Sequence, residues 1–508
     1  MAFSARDMRK VALPAREPPA AASRGNVEAL RRLAAEPVAA AFSRVVIAGV
    51  VRTIECVLIA LTGIAVYFDY VVRNVGQQPG YLPAIAVVAA LSIVIFQSLQ
   101  SYSLPAFRNP SRQLFRVAGG WTAVFLTVFA AMFFLKLDGV VSRVWMASWF
   151  VLGLAAVALE RAALAHFLGG LARAGRLQQR AVIVGGGEIG AELLRELSAN
   201  ADAEVRMLGV FDDRGNDRAP GAVEGYPKLG NVDDLVEFAR TTRIDTVIFA
   251  LPITAEQRIL QMLRKLWVLP IDIRLAAHAN RLRFRPRSYS YVGKVPVLDL
   301  FDKPIADWDI IIKLAFDKIV GVLALIALSP VFLVTAIAIK LDSRGPVFFK
   351  QKRYGFNNEL IEVFKFRSMY ADKLDATASK LVTRGDPRVT RVGRFIRKAS
   401  IDELPQLFNV VFKGDLSLVG PRPHAVHAKA ADRQYDEVVD GYFARHRVKP
   451  GITGWAQVNG WRGETDTQEK IQQRVEHDLY YIENWSILLD LYILAITPAS
   501  LIKTNNAY

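Results

Sequence analysis

Cysteine is nearly absent from this 508-residue chain: Cys56 is the single one, set inside an apolar run. No intrachain disulfide and no cysteine-based metal cluster can form, so any metal would be held through oxygen or nitrogen. Histidine is also scarce, with six residues, and His424 and His427 stand too isolated to suggest a metal site. No short apolar core directly follows the basic start, so the signal-peptide pattern is missing. No internal repeat or long low-complexity segment is present. A Tyr-x-x-x-Lys pair is missing too, because the residue four after Tyr289 is Gly293.

Acidic charge is in deficit. Against 48 Asp and Glu stand 64 Lys and Arg, a formal net charge of +16. Such an excess suits nucleic acid, an anionic membrane face or phosphorylated substrates. The 52 % hydrophobic content and the long apolar runs favour the membrane and exclude an ordinary soluble enzyme.

Residues 1–44 are rich in Ala, Pro and Arg and read as a mostly flexible basic tail. Four apolar stretches follow, near 45–67, 81–101, 117–136 and 144–168, each close to the roughly 20 residues that a helix needs to cross hydrocarbon. Residues 45–170 are therefore expected to form a four-span helical bundle. Arg24, Arg31, Arg32 and Arg44 precede the first span, Arg108, Arg112 and Arg116 lie between the second and third, and Arg173, Arg176 and Arg180 follow the fourth. By the positive-inside rule these segments face the cytoplasm, and with them everything beyond about residue 170.

From 178 to 300 short β-rich runs alternate with helical stretches, which predicts a Rossmann-like, parallel α/β domain. Its first strand runs into Gly185, Gly187 and Gly190 at G-x-G-x-x-G spacing. Asp212 ends the second strand about where a ribose-binding acid would fall. Two readings stay open: a working nucleotide site, or glycines that merely allow a tight strand-to-helix turn. Arg281, Arg283, Arg285 and Arg287 alternate with other residues in an extended linker.

Residues 308–341 contain a largely apolar run, 319–339, broken by Ser329 and Pro330 and flanked by cations on both sides. A crossing helix would send one basic cluster, and the whole C-terminal part, to the far side. A bent helix that enters and returns on one face avoids both, with Ser329 satisfying carbonyls freed by Pro330. Residues 342–508 read as a mixed α/β catalytic domain whose last apolar stretch, 485–502, is expected to lie in the interface.

That domain holds SIDELPQLFNVVFKGDLSLVGPRP at 400–423. Ser400 and Glu403 have capping-box spacing, and Asp402 would suit a first helical turn, so capping alone explains the pair. The neighbourhood points to chemistry instead. Lys365 and Arg367 in VFKFRSM, Arg397 in the 388–397 arginine stripe, and Arg422 in GPRP could keep an aspartate ionised and neutralise a diphosphate. Like charges at about 4 Å cost roughly 4 kcal/mol near a protein surface, so an anionic nucleophile approaching a diphosphate needs cations or a metal. Magnesium is the natural candidate. KPGITGWAQVNGWRGETD at 449–466 is a Gly- and aromatic-rich segment suited to closing over a nucleotide or sugar.

Together, GPVFFKQ, KFRSM, SIDELPQLFNV, GDLSLVGPRP and KPGITGWAQVNG closely resemble the bacterial sugar transferase family, monotopic polyprenyl-phosphate hexose-1-phosphate transferases. The match covers about 310–508. The spans and Rossmann-like domain ahead of it resemble the family's long form, the undecaprenyl-phosphate glucose phosphotransferases that start exopolysaccharide synthesis. The resemblance implies that a UDP-sugar and undecaprenyl phosphate give undecaprenyl-diphosphate sugar and UMP. It places the nucleophile on Asp402, a magnesium-holding role on Glu403 beside Asp402, basic residues on Lys365, Arg397 and Arg422, and the helix break on Ser329 and Pro330. The resemblance carries the nucleotide or sugar contact onto Arg462, with one departure: the short forms place Arg directly after Asn-Gly, whereas here Trp461 intervenes. The Trp-Arg-Gly-Glu-Thr run resembles glucose-transferring members, with galactose second. A bacterial inner membrane, with the N-terminus and catalytic domain cytoplasmic, is implied; nucleic acid is not a partner, and a homodimer stays open. Two other classes compete: an NAD-dependent nucleotide-sugar dehydratase using the Rossmann-like segment, and a non-enzymatic scaffold for polysaccharide assembly.

Overall fold

The computed structural model describes residues 24–35, 42–103, 106–107, 110–136, 141–199, 205–214, 221–276, 290–292, 295–371, 386–424, 429–430, 433–434, 439, 441–463 and 467–503. The arginine-rich linker at 281–287, His427 and the Glu-Thr-Asp end of the 449–466 segment lie outside them. Two compact units result, one of them Ala39–Gln178.

In that unit the long apolar runs become helices α2 (Arg44–Val66, prolonged by a π-helical turn Tyr67–Val72 and by Arg73–Val75), α3 (Tyr81–Ser98), α4 (Pro110–Phe134) and α5 (Arg143–Arg173). Each of these four has a stretch long and apolar enough to cross a membrane. The core is aromatic: Trp121, Trp145 and Trp149 are all but fully buried. Gly63 makes room for them, since a Cβ there would lie 2.7 Å from the Trp149 ring, and its carbonyl accepts from Trp145 Nε1 at 3.2 Å. Outward positions such as Leu126, Phe133 and Leu159 stay exposed and apolar, the pattern of a surface solvated by lipid. Charge inside such a bundle must be paired, and Arg161 Nε meets Glu55 Oε1 at 2.6 Å while Tyr102 donates to the other carboxylate oxygen at 2.6 Å.

The second unit opens with a departure from the sequence reading. Within the expected flexible tail, Arg24–Ala35 form a helix, α1. Ala29, Leu30 and Leu33 recur at helical spacing and pack on the hydrophobic core of this unit, so burial of one apolar stripe orders a segment whose composition looked structureless.

The 178–300 region forms an eight-stranded sheet, order β3-β4-β2-β1-β5-β6-β8-β7, with β1 Gln179–Val184, β2 Val205–Phe211, β3 Ala222–Val223, β4 Tyr226–Gly230, β5 Thr246–Phe249, β6 Asp272–Ala276, β7 Ser290–Val292 and β8 Val295–Phe301. Strands β4, β2, β1, β5 and β6 are parallel, as the alternation of strands and helices predicts, whereas β3, β7 and β8 pair antiparallel. The helices are α6 (Glu188–Ala199), α7 (Val232–Thr241) and α8 (Glu256–Leu266).

Next comes α9, Asp307–Asp342, 36 residues with Pro330 inside. It is also long and apolar enough to cross a membrane. Phe316, Val320, Ala324, Leu325, Leu328 and Phe332 pack against the soluble core, while Ile319, Val322, Leu323, Ile326, Leu333, Val334 and Ile337 are exposed. Ser329 Oγ donates to the Ile326 carbonyl at 2.8 Å, one turn ahead of the proline.

A hairpin follows, β9 Phe348–Tyr354 with β10 Leu360–Phe366, then α10 (Arg391–Lys398), the parallel pair β11 Ser417–Val419 and β14 Gly451–Thr453, and helices α11 (Gln468–Glu483) and α12 (Ile487–Lys503). Between β11 and β14 lie the two-residue strands β12 Lys429–Ala430 and β13 Arg433–Gln434. Asp490 and Pro498, which interrupt the last apolar run, sit inside α12. Asp490 is wholly buried and pairs with Lys313 of α9 at 2.6 Å.

Candidate active site

Asp402 and Glu403 lie on a single 3-10 turn, Ile401–Glu403. Ser400 ahead of it takes φ 56° and ψ 21° and makes no side-chain cap bond. The capping box that the spacing allows is therefore not formed, because a left-handed residue cannot aim its hydroxyl at the following amides as an extended N-cap does. Arg462 Nη2 takes that hydroxyl instead. The contact carries Arg462 into the site from 62 residues away.

The turn is held in place by its neighbours. Asn409, fully buried, accepts from the Phe364 amide at 2.9 Å and donates to the Glu362 carbonyl at 2.7 Å. Phe408 packs between Phe332 of α9 and Phe348 of β9, with ring centroids 5.4 and 5.9 Å away. On the far side the Gly-Pro-Arg-Pro turn meets the 449–454 segment backbone to backbone. A Cβ on Gly454 would fall 2.2 Å from the Gly420 carbonyl oxygen, so both motifs need glycine for this close approach.

Glu403 is the hub of the charges. Arg422 reaches it with both terminal nitrogens, Nη1 to Oε2 at 3.0 Å and Nη2 to Oε1 at 2.5 Å, and Lys365 Nζ donates to Oε1 at 3.1 Å. Burial alone would push this carboxyl up, but Arg422 and Lys365 hold it well below the usual glutamate range. Both of its oxygens accept from these cations, so a metal on Glu403 would compete with Arg422 and Lys365. Asp402 makes no side-chain hydrogen bond among the described residues. Burial, then the neighbouring Glu403 charge, raise its pKa to about 6 against the pull of Lys365, Arg397 and Arg422. The two adjacent carboxyls thus differ: Glu403 is locked as an anion, and Asp402 is poised and open.

The other predicted residues divide. Lys365, Arg397, Arg422 and Arg462 all act electrostatically on the pair. Arg367 does not belong with them. It is buried, and its guanidinium donates to the carbonyls of Pro346, Arg344 and Ser343 at 2.7, 2.8 and 2.9 Å. These are the carbonyls just beyond the end of α9, so Arg367 closes that chain reversal, and with 1 % of its surface exposed it faces backbone and not substrate. One cation was not predicted as a site residue: Arg353 on β9 donates to Gln351 Oε1 at 2.6 Å, and its charge presses on Lys365. Its only sequence signal was a place in a basic flank. His424 is buried against Arg445, Arg474 and Tyr442, surroundings unfit for a cation. No group of three or more potential metal ligands occurs among the described residues.

In the Rossmann-like domain, Gly190 packs against the strand end, where a Cβ would fall 2.2 Å from the Gly185 carbonyl oxygen. The loop's acid is occupied. Asp212 accepts from the Gly186 amide at 2.7 Å and from Arg214 at 2.6 to 3.1 Å, and its pKa is lowered, the hydrogen bonds outweighing burial. Asp213 caps α7 by accepting from the Val232 amide at 2.9 Å. Here Gly185, Gly187, Gly190 and Asp212 build a braced turn, with the Arg214 guanidinium nitrogens 3.5 and 3.6 Å from where a Cβ on Gly187 would be.

Residues 308–504 match the model described as bacterial sugar transferase, and residues 97–277 match one described as a CoA-binding domain. A UDP-glucose:undecaprenyl-phosphate glucose-1-phosphate transferase of Xanthomonas campestris pv. campestris is 34 % identical over 461 residues, 90 % of this chain and 94 % of that protein. An undecaprenyl-phosphate glucose phosphotransferase of Komagataeibacter xylinus is 40 % identical over 371 residues, 73 % of this chain and 68 % of that protein. A UDP-N-acetylgalactosamine-undecaprenyl-phosphate N-acetylgalactosaminephosphotransferase of Aeromonas hydrophila is 45 % identical over 184 residues, 36 % of this chain and 42 % of that protein. With near full-length coverage by the first of these and the C-terminal match containing every residue around Asp402, the chain belongs to the bacterial sugar transferase family.

Proposed function

We propose that this membrane enzyme transfers a hexose 1-phosphate, glucose 1-phosphate first and galactose 1-phosphate second, from a UDP-sugar to undecaprenyl phosphate. The products are undecaprenyl-diphosphate sugar and UMP, the opening step of an exopolysaccharide. The observation that carries the reading is the contrast between Asp402, open with a pKa near 6, and Glu403, fixed by Arg422 and Lys365. A carboxylate with that pKa is mostly ionised near neutral pH and still basic enough to attack phosphorus.

An Asp402 oxygen attacks the β-phosphorus of the UDP-sugar. The bond from that phosphorus to the bridging oxygen breaks, and UMP leaves with the electron pair. The sugar phosphate is then esterified to Asp402. A phosphate oxygen of the lipid attacks the same phosphorus, the Asp402–phosphorus bond breaks, and the carboxylate is regenerated. Arg422 and Lys365, held by Glu403, face the charge that develops on the phosphoryl oxygens, and Arg397 and Arg462 add to the same field.

Magnesium fits this site through Asp402, whose oxygens are open, with the substrate diphosphate supplying the remaining oxygens. Glu403 fits less well, since a divalent ion there would have to displace Arg422 or Lys365. When bound, the ion would neutralise diphosphate charge.

Sidedness follows from the cation-rich flanks, which put the N-terminus and the catalytic domain in the cytoplasm of a bacterial inner membrane. The two-faced α9 supports a re-entrant helix. Lys313 and Asp317 in its first third meet the Val419 carbonyl and the Leu418 amide, and Asp342 at its end meets the Val392 amide, so both parts contact the C-terminal segment that carries the site. The exposed apolar face is then the part immersed in lipid. Incubating purified protein with undecaprenyl phosphate, magnesium and a panel of UDP-sugars, with UMP as readout, tests class and sugar together. UMP release independent of Asp402 would sink the mechanism.

A further inference from the structure

Behind the cations that face Asp402 and Glu403 lies a second, buried charge cluster that touches none of the reacting groups. Arg474 and Asp478 are one turn apart on α11, 4 % and 2 % exposed. Arg474 donates through Nε and Nη2 to the Trp461 carbonyl at 3.0 and 2.7 Å, and through Nη2 to the Gly463 carbonyl at 2.9 Å. It thereby grips the loop on both sides of Arg462. Asp478 accepts from Arg445 Nη2 at 2.5 Å, and the same nitrogen donates to the Arg422 carbonyl at 2.7 Å. Between the two arginines sits His424, two residues after Arg422, with Arg445 Nη1 2.6 Å from Nδ1 and Arg474 Nη1 3.3 Å from Nε2.

We propose that Arg445, Arg474 and Asp478 are positioning residues that set the separation of Arg422 and Arg462 across the active site by holding their main chains. The inference rests on the proposed transferase reading. The physical argument is one of cost. Burying this much charge is unfavourable unless it is well paired; Arg445 still leaves its Nε without a hydrogen-bond partner, and a purely apolar core would stabilise the fold at least as well. The engaged acceptors are the carbonyls of the two loops that carry substrate-facing cations. An arginine spans two carbonyls with the separate nitrogens of a rigid planar fork, whereas a lysine brings one ammonium on a flexible stem and holds two main chains less firmly. His424 sits between them as a neutral ring, since burial, then Arg445 and Arg474, hold its pKa well below the usual histidine range, so one of its nitrogens accepts and the other carries a proton.

The two grips should have different kinetic signatures. Arg422 is bound to Glu403 in the resting site, so loosening its main chain disturbs transition-state charge stabilisation. Arg462 reaches the site from a separate loop, so loosening that loop weakens nucleotide-sugar binding. The experiment compares Arg445→Lys and Arg474→Lys in the full-length protein with wild type and Asp402→Asn, measuring UMP release, UDP affinity by calorimetry and the thermal unfolding midpoint. Arg445→Lys should lower kcat on the order of 10–100-fold with KM for the UDP-sugar little changed. Arg474→Lys should raise KM and the Kd for UDP by about tenfold or more, with kcat nearly retained. Loss of activity in both variants only in proportion to loss of folded protein, or no change in either, would overturn the proposal while wild type still turns over and Asp402→Asn does not. Failure of wild type to release UMP, or full activity of Asp402→Asn, would overturn the transferase reading and this inference with it.

Discussion

Arg422 holds Glu403 through two nitrogens at 3.0 and 2.5 Å and leaves Asp402, the next residue toward the N-terminus, open. That asymmetry assigns the pair separate work. In the proposed mechanism Glu403 organises cations, and Asp402 is the group that attacks phosphorus. Asp402→Asn should therefore abolish UMP release, by on the order of 10³-fold or more, with the fold intact. Glu403→Gln should also lose activity, but by misplacing Arg422 and Lys365, so circular dichroism and UDP affinity should separate the two variants. Only Glu403→Gln should alter UDP binding strongly.

The pH profile carries the sign of the Asp402 shift. The proposed mechanism needs Asp402 ionised, so kcat/KM should fall as pH drops through about 6 and level off above it. Arg397 lowers the Asp402 pKa, and Arg397→Ala should move the midpoint upward. A midpoint near 4 in wild type would contradict the assigned environment.

Arg367 should behave as a structural residue. Arg367→Ala strands the carbonyls of Ser343, Arg344 and Pro346, and a loss on the order of 3 kcal/mol is expected from removing several charge-assisted bonds. Thermal unfolding should show the loss. KM of the protein that remains folded should stay close to wild type.

Lys313 and Asp490 tie α9 to α12 in a buried pair. Lys313→Met leaves Asp490 without its cation and should cost about 3–5 kcal/mol. Replacing both residues by apolar ones of similar size should recover much of that stability. Recovery in the double variant, read by unfolding, distinguishes a registry device from a source of net stability.

In the Rossmann-like domain, Gly190→Ala should destabilise by about 1–3 kcal/mol through the clash with the Gly185 carbonyl. UMP formation per folded molecule should be unchanged. A selective loss of activity without loss of stability would instead give that loop a part in the reaction.

Much of this was legible in the sequence because the signals were local. Runs of about 20 apolar residues mark bundle helices whatever they pack against. Alternating β and helical segments from 178 onward predicted a strand running into Gly185 and a second ending at Asp212, close to where β1 and β2 occur. The acidic pair and most of its cations were found as residue types in ordered motifs. What misled was also local: Ser400 and Glu403 have capping-box spacing, yet the chain turns left-handed at Ser400. Arg367 looked like a phosphate ligand because one chain position can face substrate or backbone, and spacing does not say which.

The amino-acid order by itself determined that this is a membrane protein with a cation-rich carboxylate site, because hydrophobic run length, charge excess and motif order are properties of the chain. The tertiary structure alone decided which carboxylate is free and which is bound. Glu403 meets Lys365 from 38 residues away and Arg422 from 19, and the stabilisation of one ionised carboxyl over its neighbour depends on distances of a few ångströms that only folding fixes. It likewise gave α9, apolar over most of its length, one face packed on the core of its own unit and one exposed, since burial is decided by partners and not by composition.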